Sequence, residues 1–370
     1  MMDWSSRMAI SAPMLWFLAG VVYGQGYAVE GRVTNNRTGL PVPTVTVYIN
    51  GTSMGTITDA EGYFRIDHAI LPSELIFSHV SFAPVRITLS DTAHLRYLEV
   101  GLTERIFEIH EATVIHRSLR KEYLERFKLW FMGIDYQETG AEILNDSVIY
   151  FETRENDQFS ARAYAPIEIR LPATGYHLRV DLVHFNLNYR EELGGYHCSI
   201  LGYYYFTPIE GSTGKEERRR ARARAEAYYN SRMHFCKSLY HNQLLQNGYQ
   251  FERACTAEVV SGEDAPDLPY FTASYENNSS GQPGRLMLTR FACKNFRIKY
   301  SYRGGNRPAD LTYLQSNPMR IELSKLTFLK DTVYIYPSGR VPENSLLFSG
   351  AIGQKGVAFM LPEEYIPSMQ

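Results

Sequence analysis

From Tyr27 the chain runs in short alternating stretches of apolar and polar residues, at 29–33, 45–49, 55–57, 63–66, 75–80, 85–89 and 95–102. Side chains on a strand point alternately to two faces, so a period of two over such short stretches predicts half-buried strands. Seven of them at this spacing predict a small β-sandwich over 27–103. The breaks between them carry turn chemistry: Asn35-Asn36-Arg37-Thr38-Gly39, Asn50-Gly51 and Asp59-Ala60-Glu61-Gly62, in which Asn, Asp and Gly tolerate positive φ.

The pattern then changes. Ser118 is placed to cap a helix in which Leu119, Tyr123, Phe127 and Phe131 recur every four residues, with Gly133 as its stop. Residues 104–133 therefore read as a linker and an amphipathic helix. Strand patterns follow at 148–153, 160–171, 176–187 and 199–206. In the third of these, Leu178, Val180 and Leu182 share one face, expected buried, while His177, Arg179 and Asp181 share the other, expected wet. Strong helix formers at 215–247 interrupt the strands, first as an Ala/Arg/Glu stretch, then with Phe235, Leu239 and Tyr240 as a stripe ending at Gly248. Strands resume at 249–260, 285–291, 296–302, 319–329 and 332–335, and the polar stretches 261–269 and 276–284 read as loops. The fold class is mainly β with some α: a transthyretin-like or immunoglobulin-like sandwich, then a β-rich α+β domain over 134–370 with a charged helical insertion. That charged helix, and the lack of apolar-out patterning, argue against an outer-membrane barrel.

Composition adds limits. A chain of 370 residues exceeds one ordinary domain. Its 38 basic and 40 acidic residues leave a net charge of -2, which supplies no overall attraction to nucleic acid or an anionic membrane. Local charge has to carry any such case. Aromatics at 13% suit pleated, half-buried surfaces. At the N-terminus, Arg7 followed by an apolar run at 8–22 and small residues reads as an export signal over 1–24, cleaved after Gly24 with Val22 at the third position back. The run is short for a spanning helix, which needs about 20 residues; an uncleaved anchor is the alternative. No cysteine follows it to accept lipid, so the expected location is the periplasm or the outer-membrane region of a Gram-negative envelope, with no transmembrane span in the mature chain. Cys198, Cys236, Cys255 and Cys293 would allow two bridges in any of three connectivities. They contain no C-x-x-C, and free or singly paired thiols are the simpler reading.

Within the sandwich, Gly31-Arg32-Val33, Thr38-Gly39-Leu40-Pro41, Val45-Thr46-Val47, Gly51-Thr52, Gly55-Thr56, Thr58-Asp59-Ala60-Glu61-Gly62-Tyr63-Phe64 and Leu75-Ile76-Phe77-Ser78 strongly resemble, in order, the carboxypeptidase regulatory-like domain. Such domains are fused to metallocarboxypeptidases and precede the plug of many TonB-dependent outer-membrane receptors. The resemblance implies a non-catalytic sandwich. Ser81-Phe82 departs from the usual Gly-aromatic pair, which leaves the conformation of that turn open. More loosely, the linker at 109–114, the segment 174–182, the Arg-rich helix and the closing stretch 361–367 resemble exported bacterial proteins with this domain ahead of a β-rich region. No activity comes with that likeness.

Tests for chemistry fail in turn. No histidine has Glu three residues later and H-E-x-x-H is absent, so the zinc set of a carboxypeptidase is missing. His177, His184 and His197 are close in sequence but fix no common face. Gly51-Thr52-Ser53-Met54-Gly55 spells G-x-S-x-G, yet it sits between two sandwich strands and not at the strand-to-helix turn a nucleophile elbow needs. Asp59-Ala60-Glu61-Gly62 lacks the further oxygens of a calcium loop. Glu191-Glu192 and Glu363-Glu364 are acidic pairs that sequence cannot place across a cleft. No catalytic residue, metal or cofactor is assigned.

Two features point to binding. Arg218, Arg219, Arg220, Arg222 and Arg224 form a basic helix able to meet phosphate, lipid headgroups or an acidic partner, set against a solvated face tempered by Glu216, Glu217 and Glu226. Tyr203 and Tyr205 share a strand face and, if exposed, would stack on sugar rings; if buried, they pack. The leading expectation is a non-enzymatic envelope adaptor or binding module with a protein or glycan partner and no nucleic acid, beside outer-membrane uptake or surface machinery. Its rivals are a hydrolase of peptide or glycan with its site in 118–370, and an anion-docking module using the Arg218–Arg224 helix.

Overall fold

The computed structural model describes residues 27–90, 97–105, 117–153, 158–190, 195–211, 213–254, 271–277, 283–291, 293–303, 307–308 and 320–367. The expected signal at 1–24, the linker at 109–114 and Glu191-Glu192 lie outside these residues.

The first unit is the expected seven-stranded sandwich: β1 (Tyr27–Asn35), β2 (Thr46–Ile49), β3 (Gly55–Ile57), β4 (Tyr63–Ala69), β5 (Ser73–His79), β6 (Phe82–Leu89) and β7 (Leu98–Leu102). One sheet has the order β4-β1-β7 and the other β3-β2-β5-β6. Val29, Val33, Val47, Ile49, Phe64, Ile66, Leu75 and Phe77 fill the space between them. The turn at Asp59 is an Asx turn, its Oδ1 accepting the amides of Glu61 (3.1 Å) and Tyr63 (2.8 Å). Ser81 has no positive φ, so the hairpin turn before β6 forms without the glycine usual at that place.

Helix α1 (Arg117–Met132) lies on a six-stranded sheet of β8 (Glu142–Ile143), β9 (Ile149–Thr153), β10 (Phe159–Ala163), β11 (Ile167–Leu171), β12 (Tyr176–Arg190) and β13 (Gly195–Pro208). The long β12 is central: its first half pairs with β11, its second with β10, and β13 runs antiparallel along its other edge. The stretch expected as one strand at 160–171 is two, because Pro166 cannot donate to a ladder. Phe127 and Phe131 stack at 4.7 Å and enter the core with Phe151, Phe159 and Phe185. Leu119, expected on the same stripe, is 45% exposed. Four residues turn a helix by 400°, so an exact four-residue repeat drifts about 40° per step and three steps carry Leu119 off the buried face. Gly133 (φ +105) ends the helix where a Cβ would lie 2.6 Å from the amide of Gly356.

A third core forms around α3 (Arg232–Tyr240), which follows α2 (Gly214–Tyr228). It is built from β14 (Tyr249–Arg253), β15 (Thr272–Asn277), β16 (Pro283–Thr289), β17 (Asn295–Arg303), β18 (Arg307–Pro308), β19 (Arg320–Phe328), β20 (Thr332–Ile335), β21 (Leu346–Gly350) and the short α4 (Ala351–Gln354). These strands form a five-stranded sheet containing β14-β17-β19-β21 and a three-stranded sheet β15-β16-β20. Glu276, Asn277, Pro283 and Gly284, expected in a loop, belong to paired strands. Among the described residues the region after the sandwich thus holds two large hydrophobic cores and a small cluster of Ala227, Tyr228 and Leu361. Among the described residues no helix is long and apolar enough to cross a membrane.

Candidate functional site

The sandwich is seated on the second region through one of its two sheets. On β2 and β5 the residues turned away from the sandwich core, Tyr48, Ile76 and Ser78, are fully buried. They meet the face of β12 and β13 that carries Asp181, Tyr203 and Tyr205. Asp181 is 3% exposed and accepts hydrogen bonds from Tyr48 Oη (2.8 Å) and Ser78 Oγ (2.7 Å). Burial, then the neighbouring Asp181 carboxylate, holds the Tyr48 phenol well above its usual range, so it remains a donor. Arg179 Nη2 donates to Ser78 Oγ at 3.3 Å. The face expected to be wet is therefore covered at Asp181, and the carboxylate tolerates burial because two hydroxyls solvate it.

A second anchor is the turn between β2 and β3. Gly51 N donates to Tyr204 O (2.8 Å), Phe206 N to Thr52 O (3.0 Å), and Glu363 N to Gly51 O (2.8 Å). The turn is thus held between the free edge of β13 and the closing segment of the chain. Ser53 donates through both its amide (2.7 Å) and Oγ (2.5 Å) to Glu364 Oε1. The serine of the G-x-S-x-G string is locked to a carboxylate as part of a joint, with none of the geometry of a nucleophile elbow. Gly55 leaves room for the Tyr205 ring, which a Cβ would approach to 2.7 Å. A third anchor joins Arg340 Nη2 to Pro72 O (2.9 Å) and Arg86 to Glu343 (3.3 Å).

The other sheet, β4-β1-β7, has an uncovered outer face among the described residues. Tyr63 on β4 and Tyr97 just before β7 are 44% and 49% exposed beside a shallow groove of about 440 Å³, which Glu30, Asp59, Arg65 and, from the edge strand β3 of the covered sheet, the 62% exposed Ile57 also line. Arg32 lies over the Tyr63 ring at 5.2 Å, and Arg65 pairs with Glu30 at 2.8 Å.

The residues singled out from the sequence divide. Tyr203 is 9% exposed and Tyr205 stacks on Tyr48 at 5.0 Å. Tyr203 is thus buried in the joint, and the half-buried Tyr205 packs one ring face on Tyr48. On α2, Arg220 is buried, donating to Ile209 O (3.0 Å) and pairing with Glu216 (2.7 Å). Arg224 donates to Thr174 O (2.8 Å) and pairs with Glu217 (2.7 Å). Arg218, Arg219 and Arg222 are exposed, the last paired with Glu226 at 3.1 Å. His177, His184 and His197 lie along β12 and β13 without converging, and among the described residues no three His, Cys, Asp or Glu side chains gather to hold a metal. Cys198 and Cys236 are free and Cys293 is disulfide-bonded, while Cys255 lies outside the described residues. Burial pushes the Cys236 thiol up to about 12, which leaves it inert.

Sequence reasoning overlooked His234. It is 3% exposed on α3, its Nδ1 accepting the Asn230 amide (3.2 Å) and facing the Tyr249 hydroxyl (2.9 Å). Burial, with Lys355 and Lys237 nearby, pushes it down to about 3. It is a neutral, satisfied core histidine. Lys355 donates to Tyr229 O (2.6 Å) and Glu226 O (3.2 Å), capping the C-terminus of α2.

The model of the CarboxypepD_reg-like domain matches residues 29–114. This part of the chain is a carboxypeptidase regulatory-like domain, a non-catalytic immunoglobulin-like sandwich. No curated protein matches the chain. Among solved structures it is similar to a 9R-lipoxygenase from Cyanothece, 13% identical over 64% of this chain and 50% of that one, with a TM-score of 0.18. It is also similar to a protein of unknown function from Bacteroides fragilis described as membrane-associated, 9% identical over 88% and 97% of the two chains, again at a TM-score of 0.18. The chain spans half the length of the lipoxygenase. At such scores neither likeness bears on fold or function.

Proposed function

We infer that the protein is a non-enzymatic binding module of the cell envelope, with the open β4-β1-β7 sheet of its regulatory-like domain as the binding face. One observation carries this reading: three anchors bury one sheet of the sandwich against the rest of the chain, while on the other sheet's side Tyr63 of β4 and Tyr97 just before β7 stay exposed around a groove, with Ile57 at the neighbouring edge of β3. A domain clamped at three places presents its free face without losing orientation on binding, which lowers the entropy lost when a partner docks. Aromatic side chains at such a face supply contact area at little conformational loss. The disulfide at Cys293 is in keeping with an oxidising compartment.

A photo-cross-linking residue placed in turn at Ile57, Tyr97 and Tyr205 of the full chain in envelope preparations tests it. Adducts from Ile57 and Tyr97 but not from the half-buried Tyr205, whose ring stacks on Tyr48, are expected. Adducts from all three alike, or turnover of peptide or glycan substrates by the full chain, would overturn the reading.

A further inference from the structure

The basic helix is two surfaces. Arg220 and Arg224 point inward: each donates to a loop carbonyl and pairs with a glutamate of the first turn, and Arg224 also lies over the Tyr176 ring at 5.6 Å. Gly175 (φ +81) makes the space for Arg220, since a Cβ there would lie 2.7 Å from its Cδ. These two arginines fix the rotation of α2 about its axis. The opposite face therefore turns outward with Lys215, Arg218, Arg219 and Arg222, all exposed. Seven residues at 1.5 Å rise place the four cations within about 10 Å along the helix. A single carboxylate, Glu226, pairs on this face, with Arg222. The partial positive charge of the α2 N-terminus lies at the same end as Lys215.

We propose that this outward face docks the protein on an anionic membrane leaflet. Charge complementarity selects the class of partner, and what the face lacks selects between an acidic protein and a lipid surface. A stable protein interface needs apolar or aromatic anchors at its centre. The exposed face of α2 has none; its uncharged positions are Ala221, Ala223 and Ala225. Attraction to a charged leaflet needs only a cluster of cations, each strengthening binding about fivefold and fading beyond a Debye length. The open sandwich sheet is a different surface, so loss of leaflet docking would leave cross-linking at Ile57 and Tyr97 intact.

Co-sedimentation of the full chain with phosphatidylcholine vesicles, with and without phosphatidylglycerol, tests the docking. Binding is expected only with phosphatidylglycerol, and it should fall as salt rises from about 0.1 M to about 0.5 M. Replacing Lys215, Arg218, Arg219 and Arg222 by Gln should lower the partition coefficient more than about a hundredfold and leave the thermal midpoint in place. Lysine at 218, 219 and 222 should retain binding, because a diffuse field does not read guanidinium geometry. Equal binding to neutral vesicles, or undiminished binding by the glutamine variant, would overturn the proposal. So would preference for soluble poly-glutamate over the vesicles, or loss of binding in the lysine variant.

Discussion

The two sheets of the sandwich share one core and have opposite fates. On β2 and β5 both faces are buried: Val47, Ile49, Leu75 and Phe77 look into the core, and Tyr48, Ile76 and Ser78 look into the joint. On β1 and β4 one face is buried, with Val29, Gly31, Val33, Phe64, Ile66 and Ala69, while Glu30, Tyr63, Arg65 and Asp67 remain exposed. The chain writes this difference directly. A strand covered on both sides reads as a continuous apolar run, and a strand with one wet face alternates. Inside stretches that otherwise alternate, Val47-Tyr48-Ile49 and Leu75-Ile76-Phe77 are runs; Tyr63-Phe64-Arg65-Ile66-Asp67 alternates throughout. One sheet is a structural joint, and the other is a surface free for function.

The largest test of that difference is at Asp181. Asp181→Ala strands the Tyr48 and Ser78 hydroxyls in a buried joint, and leaving two buried donors unsatisfied, at about 2 kcal/mol each, costs about 4 kcal/mol. Urea denaturation should show that loss, with the sandwich becoming more accessible to protease. The matching change on the bare sheet, Glu30→Ala, breaks an exposed pair with Arg65 and should leave the urea midpoint in place. Equal effects at the two positions would erase the distinction between the sheets.

Burial separates groups in their titration as well. His234 has a native value of about 3 against about 6.5 when unfolded. Its folded value is depressed, so between these two the unfolded chain holds the extra proton, and stability present above pH 6.5 is lost as pH falls. At about 1.4 kcal/mol per unit, lowering the pH from 7 to 4 removes about 3 kcal/mol through this residue. Urea midpoints across that range should fall more steeply for the wild type than for His234→Gln. Parallel slopes would show that His234 is not held neutral in the folded protein.

The sandwich was legible because each of its seven strands and turns has a local cause. The joint was not. Its contacts pair Tyr48 with Asp181, Asn50 with Tyr204 and Ser53 with Glu364, and no period in the chain relates residues so far apart. Asp181 alternates like any wet position, and only the sheet laid over it reverses the reading. The apolar runs at 47–49 and 75–77 were the available signal that a cover existed, though not what supplied it. The arginines of α2 are a similar case. Helical spacing relates Arg218 to Arg222 and Arg220 to Arg224, but which pair faces inward depends on carbonyls at Ile209 and Thr174. Leu346–Gly350 escaped notice because five residues without clear alternation carry little strand signal.

Two glycines give the smallest and sharpest contrast between joint and surface. Gly39 and Gly51 both sit in sandwich turns with left-handed backbone, at φ +70 and +78, so an added methyl group carries the same conformational penalty of about 1 kcal/mol at each. Their surroundings differ. A Cβ on Gly39 meets nothing within 4 Å, whereas one on Gly51 would lie 2.9 Å from Glu363 Oε1. Gly39→Ala should thus cost about 1 kcal/mol or less, since alanine also restricts the unfolded chain. Gly51→Ala should cost about 2 kcal/mol, because the half-buried Glu363 has to shift against a closing segment that Lys237 also ties down, donating to Glu363 O at 3.0 Å. Hydrogen exchange separates the two effects by place. In Gly51→Ala the amides of Gly51 and Glu363, which bond to Tyr204 O and Gly51 O, should exchange faster, whereas in Gly39→Ala they should keep wild-type protection. Unchanged protection in Gly51→Ala would mean that the turn is not clamped between β13 and the closing segment, and that the covered sheet is held by the Asp181 cluster and the Arg340 contact alone.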